Sequence, residues 1–218
     1  MEAVAAGKLG HSLLVVPGFE MGPQAEAIRA IATRLIDSDS KARRRGLAVV
    51  GVADHEGATF VAANLAVAIA QAGYSTLLVD ADLADPELGR LLGAAEGAKG
   101  LSDLLADPTV NMEDVLHRDI LPGLSAVYAG TGGAQHEHHL RAAQFERFID
   151  SCMRDFDYTI VDTPAANLSA DAMQVVAVVG YAMVVARRDH AFADDVATLV
   201  RAIEETGAVV AGTVLNRA

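Results

Sequence analysis

From residue 46 onward, short runs that are apolar at nearly every position alternate with longer runs in which apolar residues recur every three or four positions. The short runs are "GLAVVGV" (46–52), "STLLVD" (75–80), "LSAVYA" (124–129), "YTIVD" (158–162), "YAMVVA" (181–186) and "AVVAGTVLN" (208–216). They lack the in-out alternation of a half-exposed strand, so they are predicted to be buried on both faces, as in a parallel sheet covered by helices. Between them, Phe145, Phe148, Ile149, Cys152, Met153 and Phe156 fall at helical spacing, and a second amphipathic helix is predicted from Asp194 to Thr206, with Gly207 as its stop. The run "FVAANLAVAIAQAG" is apolar almost all round, which predicts a helix buried against the sheet and ended by Gly73.

This alternation is the signature of βαβ units, and it predicts an α/β domain of three layers with a mostly parallel central sheet. Ahead of the sheet, "PQAEAIRAIATRLIDSDSKARRR" reads as an amphipathic helix followed by a basic connector. The expected organisation is an N-terminal arm over 1–22 and one domain over 23–218, a length that can bury a substantial core.

Composition narrows the function. The formal net charge of −12 argues against a nucleic-acid partner, because such binding relies on Lys and Arg displacing counterions. No apolar run approaches the ~20 residues that cross a bilayer, and "HSLLVV" near the start lacks the basic flank and cleavage site of a secretory signal, so a cytoplasmic protein is expected. Cys152, the single cysteine, is expected to be a buried, inert thiol. His136, His138 and His139 have no accompanying cysteine or acidic cluster, and a solvated loop is expected there rather than a metal site.

The stretch "GVADHEGAT" (51–59) lies between the first strand and the apolar helix, where a phosphate-binding loop belongs. Such a loop needs glycines for close backbone approach, a lysine for the phosphate charge, and a Ser or Thr hydroxyl for magnesium. Gly57 and Thr59 supply two of the three, and Ala58 stands where the lysine belongs. The three lysines of the chain, Lys8, Lys41 and Lys99, all lie elsewhere in sequence, and His55 is placed to crowd the phosphates. "LLVDADLADP" ends a strand with Asp80 and Asp82, and "YTIVDTPA" ends another with Asp162. Three carboxylates are therefore expected at the C-terminal edge of the sheet, where ligands bind in open α/β folds.

With "GLSDLL" (100–105) and "GTVLN" (212–216), these stretches resemble the MinD/ParA class of P-loop ATPases, and within it the cytoplasmic domain of the bacterial tyrosine kinases (BY-kinases). Those kinases work with polysaccharide chain-length regulators in capsule and exopolysaccharide export. The resemblance runs from about Gln24 to Asn216 and implies a P-loop NTPase fold. It implies that Gly57, Ala58 and Thr59 form the nucleotide loop, that Thr59 and Asp80 hold magnesium if Mg-ATP or Mg-ADP binds, and that Asp80, Asp82 and Asp162 are the acidic motifs. It places Asn216 on the adenine side. Glu26 and Arg29 match the start of the helix motif E-x-x-R-x-x-R by which these kinases form rings, with Ala32 in place of its last arginine.

The departures from the family point away from catalysis. "PGEGKS" or "PGEGKT" is the family pattern; here it is "DHEGAT", and Leu83, Ala84 and Asp85 replace the basic residues after the second acidic motif. Tyr74, Tyr128, Tyr158 and Tyr181 are scattered, with no C-terminal tyrosine cluster to phosphorylate. Losing one ionised phosphate contact costs roughly 2 to 5 kcal/mol. The expected protein is a degenerate BY-kinase-like regulator or scaffold, with weak or no ATP binding, no tyrosine autophosphorylation, and a membrane polysaccharide co-polymerase as partner. An active ATPase completed by a neighbouring subunit, or a MinD/ParA-type positioning protein, are the alternatives.

Overall fold

The computed structural model describes residues 22–42, 45–132 and 143–217. The arm expected over residues 1–22 lies outside these except for Gly22, and so do His136, His138, His139, Arg43 and Arg44. In chain order the elements are α1 Pro23–Ala42, β1 Gly46–Gly51, α2 Ala58–Gln71, β2 Thr76–Asp80, α3 Leu88–Leu92, α4 Leu101–Ala106, α5 Met112–Val115, β3 His117–Leu121, β4 Leu124–Val127, α6 Ala143–Asp155, β5 Tyr158–Asp162, α7 Asp171–Val179, β6 Tyr181–Arg187, α8 Ala193–Glu205 and β7 Val209–Asn216.

One seven-stranded sheet runs in the order β3-β4-β2-β5-β1-β6-β7, parallel throughout except for β3, which pairs antiparallel with β4. All six expected strands form. The runs of β1, β2, β4, β5 and β6 are buried, with successive residues going to opposite sides: Ala48 and Val50 of β1 join the core under α6, α7 and α8, while Leu47 and Val49 join the core under α1 and α2. The run of β7 is not buried on both faces as expected, because β7 is an edge strand whose residues are exposed or half-buried, Leu215 at 63%. Helix α2 is buried continuously from Val61 to Ala70, as its unbroken apolar sequence requires. Helix α6 turns Phe145, Phe148, Ile149 and Cys152 inward, and burial pushes the Cys152 thiol up to about 12, which leaves it unreactive.

Helix α1 packs on α2 through Ala25, Ile28, Ala32 and Leu35, a stripe at helical spacing. Ala32, where the ring motif has its second arginine, is on this stripe and only 3% exposed. Glu26 and Arg29 lie toward solvent and pair with each other at 3.7 Å within the helix.

Both sheet edges are irregular. In β3 the pairing shifts between His117 and Leu121, and Asp119 takes a positive φ of 50°. In β7 the register jumps from Ala182↔Val210 to Met183↔Gly212, so Ala211 is a bulge.

Beyond the C-terminal end of β4, "GLSDLL" proves to be a clasp. The first turn of α4 donates backbone N–H groups from Leu101 to the Tyr128 carbonyl (2.7 Å) and from Ser102 to the Ala129 carbonyl (2.8 Å). The Asp103 carboxylate accepts from the Gly100 and Thr131 N–H groups and from the Thr131 hydroxyl, and the Ser102 hydroxyl accepts from the Gly132 N–H. Burial alone would raise the Asp103 carboxyl, but the three donors overcome it and hold the group below the usual carboxylate range. A side chain at Gly100 would run into the backbone of Tyr128 and Gly130.

Candidate nucleotide-binding site

The order β2-β5-β1 puts the ends of three strands side by side and opens a cleft at their C-terminal edge. A cavity of about 200 Å³ there is walled by Gly51 and residues 53–59 on one side, by Asp82, Ala84, Asp85 and Glu87 on another, and by residues 163–165 with Leu168 and Ser169 on the third. The third wall is tied to β1: the Thr163 hydroxyl donates to the Val49 carbonyl (3.0 Å), and the Ala166 N–H to the Gly51 carbonyl (3.0 Å).

The loop has the architecture of a phosphate site. Gly57 precedes α2 in the left-handed region (φ 83°), which glycine adopts without strain, and α2 has no acidic residue in its first turn and no side-chain cap. Its first-turn N–H groups are thus available to an anion. Ala58 and Thr59 open the helix and line the cavity. No Lys or Arg lines the cavity among the described residues. The basic side chains that do approach address the loop itself: the Arg187 guanidinium donates to the His55 carbonyl at 3.5 Å, and His190 Nδ1 is 4.0 Å from Glu56 Oε1. Lys99 is elsewhere, with its charge felt by Asp107.

His55 takes a positive φ of 59°, and its ring sits 3.4 Å from Asp54 with 78% of the side chain exposed. It is one of the residues that line the cavity. Asn216 has a role the sequence does not show: its side-chain amide donates to the Glu56 carbonyl at 3.0 Å and fills the space a Cβ on Gly57 would need. The loop is braced from behind by β7.

Glu56 is the residue that sequence reasoning missed. It is 1% exposed; one carboxylate oxygen accepts from the Val52 N–H at 2.9 Å, and Oε1 has no hydrogen-bond partner. A carboxylate within the loop was the available signal, but the His190 ring that approaches its Oε1 at 4.0 Å lies far along the chain.

The acidic residues meet as expected. Asp80 and Asp162 are direct partners across the β2–β5 pair, and both are fully buried. Asp80 Oδ1 accepts from the Asp82 N–H at 3.2 Å, whereas Asp80 Oδ2 and both Asp162 oxygens have no hydrogen-bond partner. Burial first, then the neighbouring charges of Asp162 and Asp82, raise the Asp80 carboxyl well above its usual range. Asp162 is pushed up to about 8, again chiefly by burial. The Thr59 hydroxyl faces it and pulls the other way without completing a hydrogen bond, while Asp82 and Glu87 add to the rise. Asp82 is raised by burial against the pull of the Asp85 and Ala84 N–H groups, which its Oδ1 accepts at 3.1 and 3.2 Å.

These donors fit magnesium, a hard cation held by one or two carboxylates, a hydroxyl and waters. Asp80, Asp162 and Thr59 would hold it, and its charge would satisfy the three orphaned oxygens. No set of three or more His, Cys, Asp or Glu side chains is arranged as a metal cage among the described residues, so the ion would keep much of its water. No helix among the described residues is long and apolar enough to cross a membrane.

No family model matches the chain. Among curated proteins it is 29% identical over 194 residues to the putative tyrosine-protein kinase EpsB of Ralstonia solanacearum, an alignment covering 89% of this chain and 26% of that protein. The chain thus spans about a quarter of that relative's length. Among solved structures, the kinase domain of the Escherichia coli tyrosine kinase ETK superposes with a TM-score of 0.86 at 27% identity, covering 94% of this chain and 80% of that one. The Pyrococcus furiosus cell division ATPase MinD gives 0.71 at 28% identity, with 80% and 72% covered. In sequence and in fold, the chain resembles the BY-kinase domains within the MinD/ParA class of P-loop proteins.

Proposed function

We propose that this domain is a degenerate BY-kinase-like regulator or scaffold that acts on the cytoplasmic side of capsule or exopolysaccharide export, beside a membrane polysaccharide co-polymerase. It binds nucleotide weakly or not at all and does not phosphorylate itself on tyrosine. The observation that carries this reading is Ala58: the loop, the helix N-terminus and the acidic strand ends are all in place, but no described cation lines the cleft where phosphate charge would accumulate. Phosphoryl transfer depends almost wholly on positioning and on stabilising that charge. The strand-end carboxylates Asp80, Asp82 and Asp162 remain as vestiges of catalysis, and Glu26 and Arg29 are left as a partial surface for association with further copies.

Calorimetric titration of Mg-ATP and Mg-ADP, alongside a turnover assay, tests the proposal. Wild type is expected to show weak binding or none and no turnover, and Ala58→Lys to tighten binding by roughly 30-fold or more. Magnesium-dependent turnover by wild type that rises steeply with protein concentration would instead show a neighbouring subunit completing the site.

A further inference from the structure

We infer that a cavity at the opposite edge of the sheet from the cleft takes an ammonium group carried on a short alkyl stem, whether a free amine or the side chain of a lysine. The inference does not rest on the reading of the cleft. The cavity, of about 310 Å³, lies at the N-terminal ends of β2 and β4, where Ser75 and Gly123 lead into those strands, beside the last turn of α6. Met112, Leu116 and Phe156 give it an apolar floor, of which Phe156 is buried and the other two are half-buried. Asp119 and Asp155, both exposed, line it toward solvent.

The neighbouring charges are committed to the fold, and these two are not. Arg118 pairs with Glu113 at 2.8 Å, and the Asp157 carboxylate accepts from the Ser75 N–H and hydroxyl. The Asp119 and Asp155 carboxylates have no hydrogen-bond or ion-pair partner among the described residues. Asp155 is the last residue of α6, where a carboxylate adds to the negative end of the helix dipole instead of opposing it. That placement costs the helix and favours a bound cation. Ser125, 6% exposed, lines the cavity from β4; its Oγ accepts from the Asp119 N–H at 3.3 Å, which leaves a second lone pair and the hydroxyl proton uncommitted among the described residues. Acceptors thus come from β3, β4 and α6 over an apolar floor. An ammonium aims three donors in different directions and matches that arrangement, whereas a planar guanidinium suits one carboxylate held bidentately. The stem would lie along Met112, Leu116 and Phe156 while the charge stays at the mouth.

The experiment is a nucleotide-free titration of the whole chain with ethylamine, propylamine, butylamine and pentylamine, followed by the amide proton and nitrogen shifts in nuclear magnetic resonance. Saturable shifts centred on the residues that line the cavity are expected, with affinity rising roughly fourfold per methylene. Asp119→Asn and Asp155→Asn should each weaken pentylamine binding about threefold, and the two together about tenfold. Asparagine keeps the size of the side chain and tolerates the left-handed backbone at Asp119. Asp150→Asn, an equal loss of charge on α6 outside the cavity, should change affinity less than about twofold. Pentanol binding as tightly as pentylamine would overturn the inference, as would shifts spread over the acidic surface without saturation, or affinity unchanged in both aspartate variants. A lysine capped at both ends that binds as tightly as pentylamine identifies a protein's lysine as the source, and one that fails to bind identifies a free amine; both uphold the ammonium site. Absence of binding by every amine would overturn the site and leave the proposed function standing.

Discussion

The cleft after β1 and the clasp after β4 are both built at the C-terminal edge of one sheet, and both present carboxylates to backbone N–H groups; they differ in whether those carboxylates are satisfied. In the clasp, Asp103 receives three hydrogen bonds, and the glycine at 100 leaves room for the backbone of Tyr128 and Gly130 while the glycine at 130 leaves room for the Asp103 and Ser102 side chains. In the cleft, Asp80 and Asp162 keep three oxygens without a partner. A structural motif completes its own hydrogen bonds, and a ligand site leaves some open for what it binds. "GLSDLL" belongs to the first kind, whatever its value as a family marker, and the strand-end aspartates leave their hydrogen bonds open.

The sharpest way to break this contrast is Gly100→Ala. Its Cβ would strike the Tyr128 carbonyl, which is backbone and cannot rotate away, so a loss of about 3 kcal/mol or more is expected in urea denaturation. Stability within 1 kcal/mol of wild type, on the order of an ordinary surface change, would show that the clasp is looser than described.

Acidity separates the two regions next, because their carboxyls are shifted in opposite directions. Asp162 holds a proton in the folded state that the unfolded chain releases near its ordinary pKa of about 4. Its contribution to stability is thus complete below about pH 4 and declines as pH rises toward its raised folded value. Asp103 works the other way: its contribution is complete above about pH 4 and is lost as pH falls through its lowered folded value. Denaturation midpoints from pH 5 to 8 should fall less steeply in Asp162→Asn than in wild type, and Asp103→Asn should lose the most relative to wild type at neutral pH. Parallel pH profiles for Asp162→Asn and wild type would refute the burial argument.

The smallest effect is expected for Asn216→Ala, which removes one hydrogen bond to the Glu56 carbonyl and should cost about 1 kcal/mol. Restoration of that stability by Gly57→Ala in the same chain would mean that the amide had been crowding the loop rather than bracing it.

Much of this architecture was legible in the chain. Strands buried on both faces show as unbroken apolar runs, so β1, β2, β4, β5 and β6 were readable, as was Ala58 in its loop; β7 was readable as a strand, but its apolar run gave no sign of the exposed edge it forms. Strand β3 was not, because "HRDIL" is a half-exposed antiparallel edge with no apolar pattern to satisfy. Helix α7 was hidden in an apolar stretch that continues into β6, from which Gly180 at φ 75° divides it. Proximity of Asp80 to Asp162 could be expected from their strand ends, but their register could not, since it depends on β5 being inserted between β2 and β1. Ala32 could have been placed on the α1 stripe by spacing from Ile28 and Leu35, yet alanine contributes little apolar signal of its own.

The bulge at Ala211 has a further consequence for how this domain associates. An open sheet offers two free edges, each a template on which an extended peptide or another copy could add a strand. At β7 the skipped residue divides the edge into two runs of different hydrogen-bonding phase, so a straight strand that matches one is out of step with the other. At β3 the shifted pairing, and the charged side chains of Arg118 and Asp119, do the same for the opposite edge. Both edges discourage accretion into fibrils, which leaves association to the helices and loops.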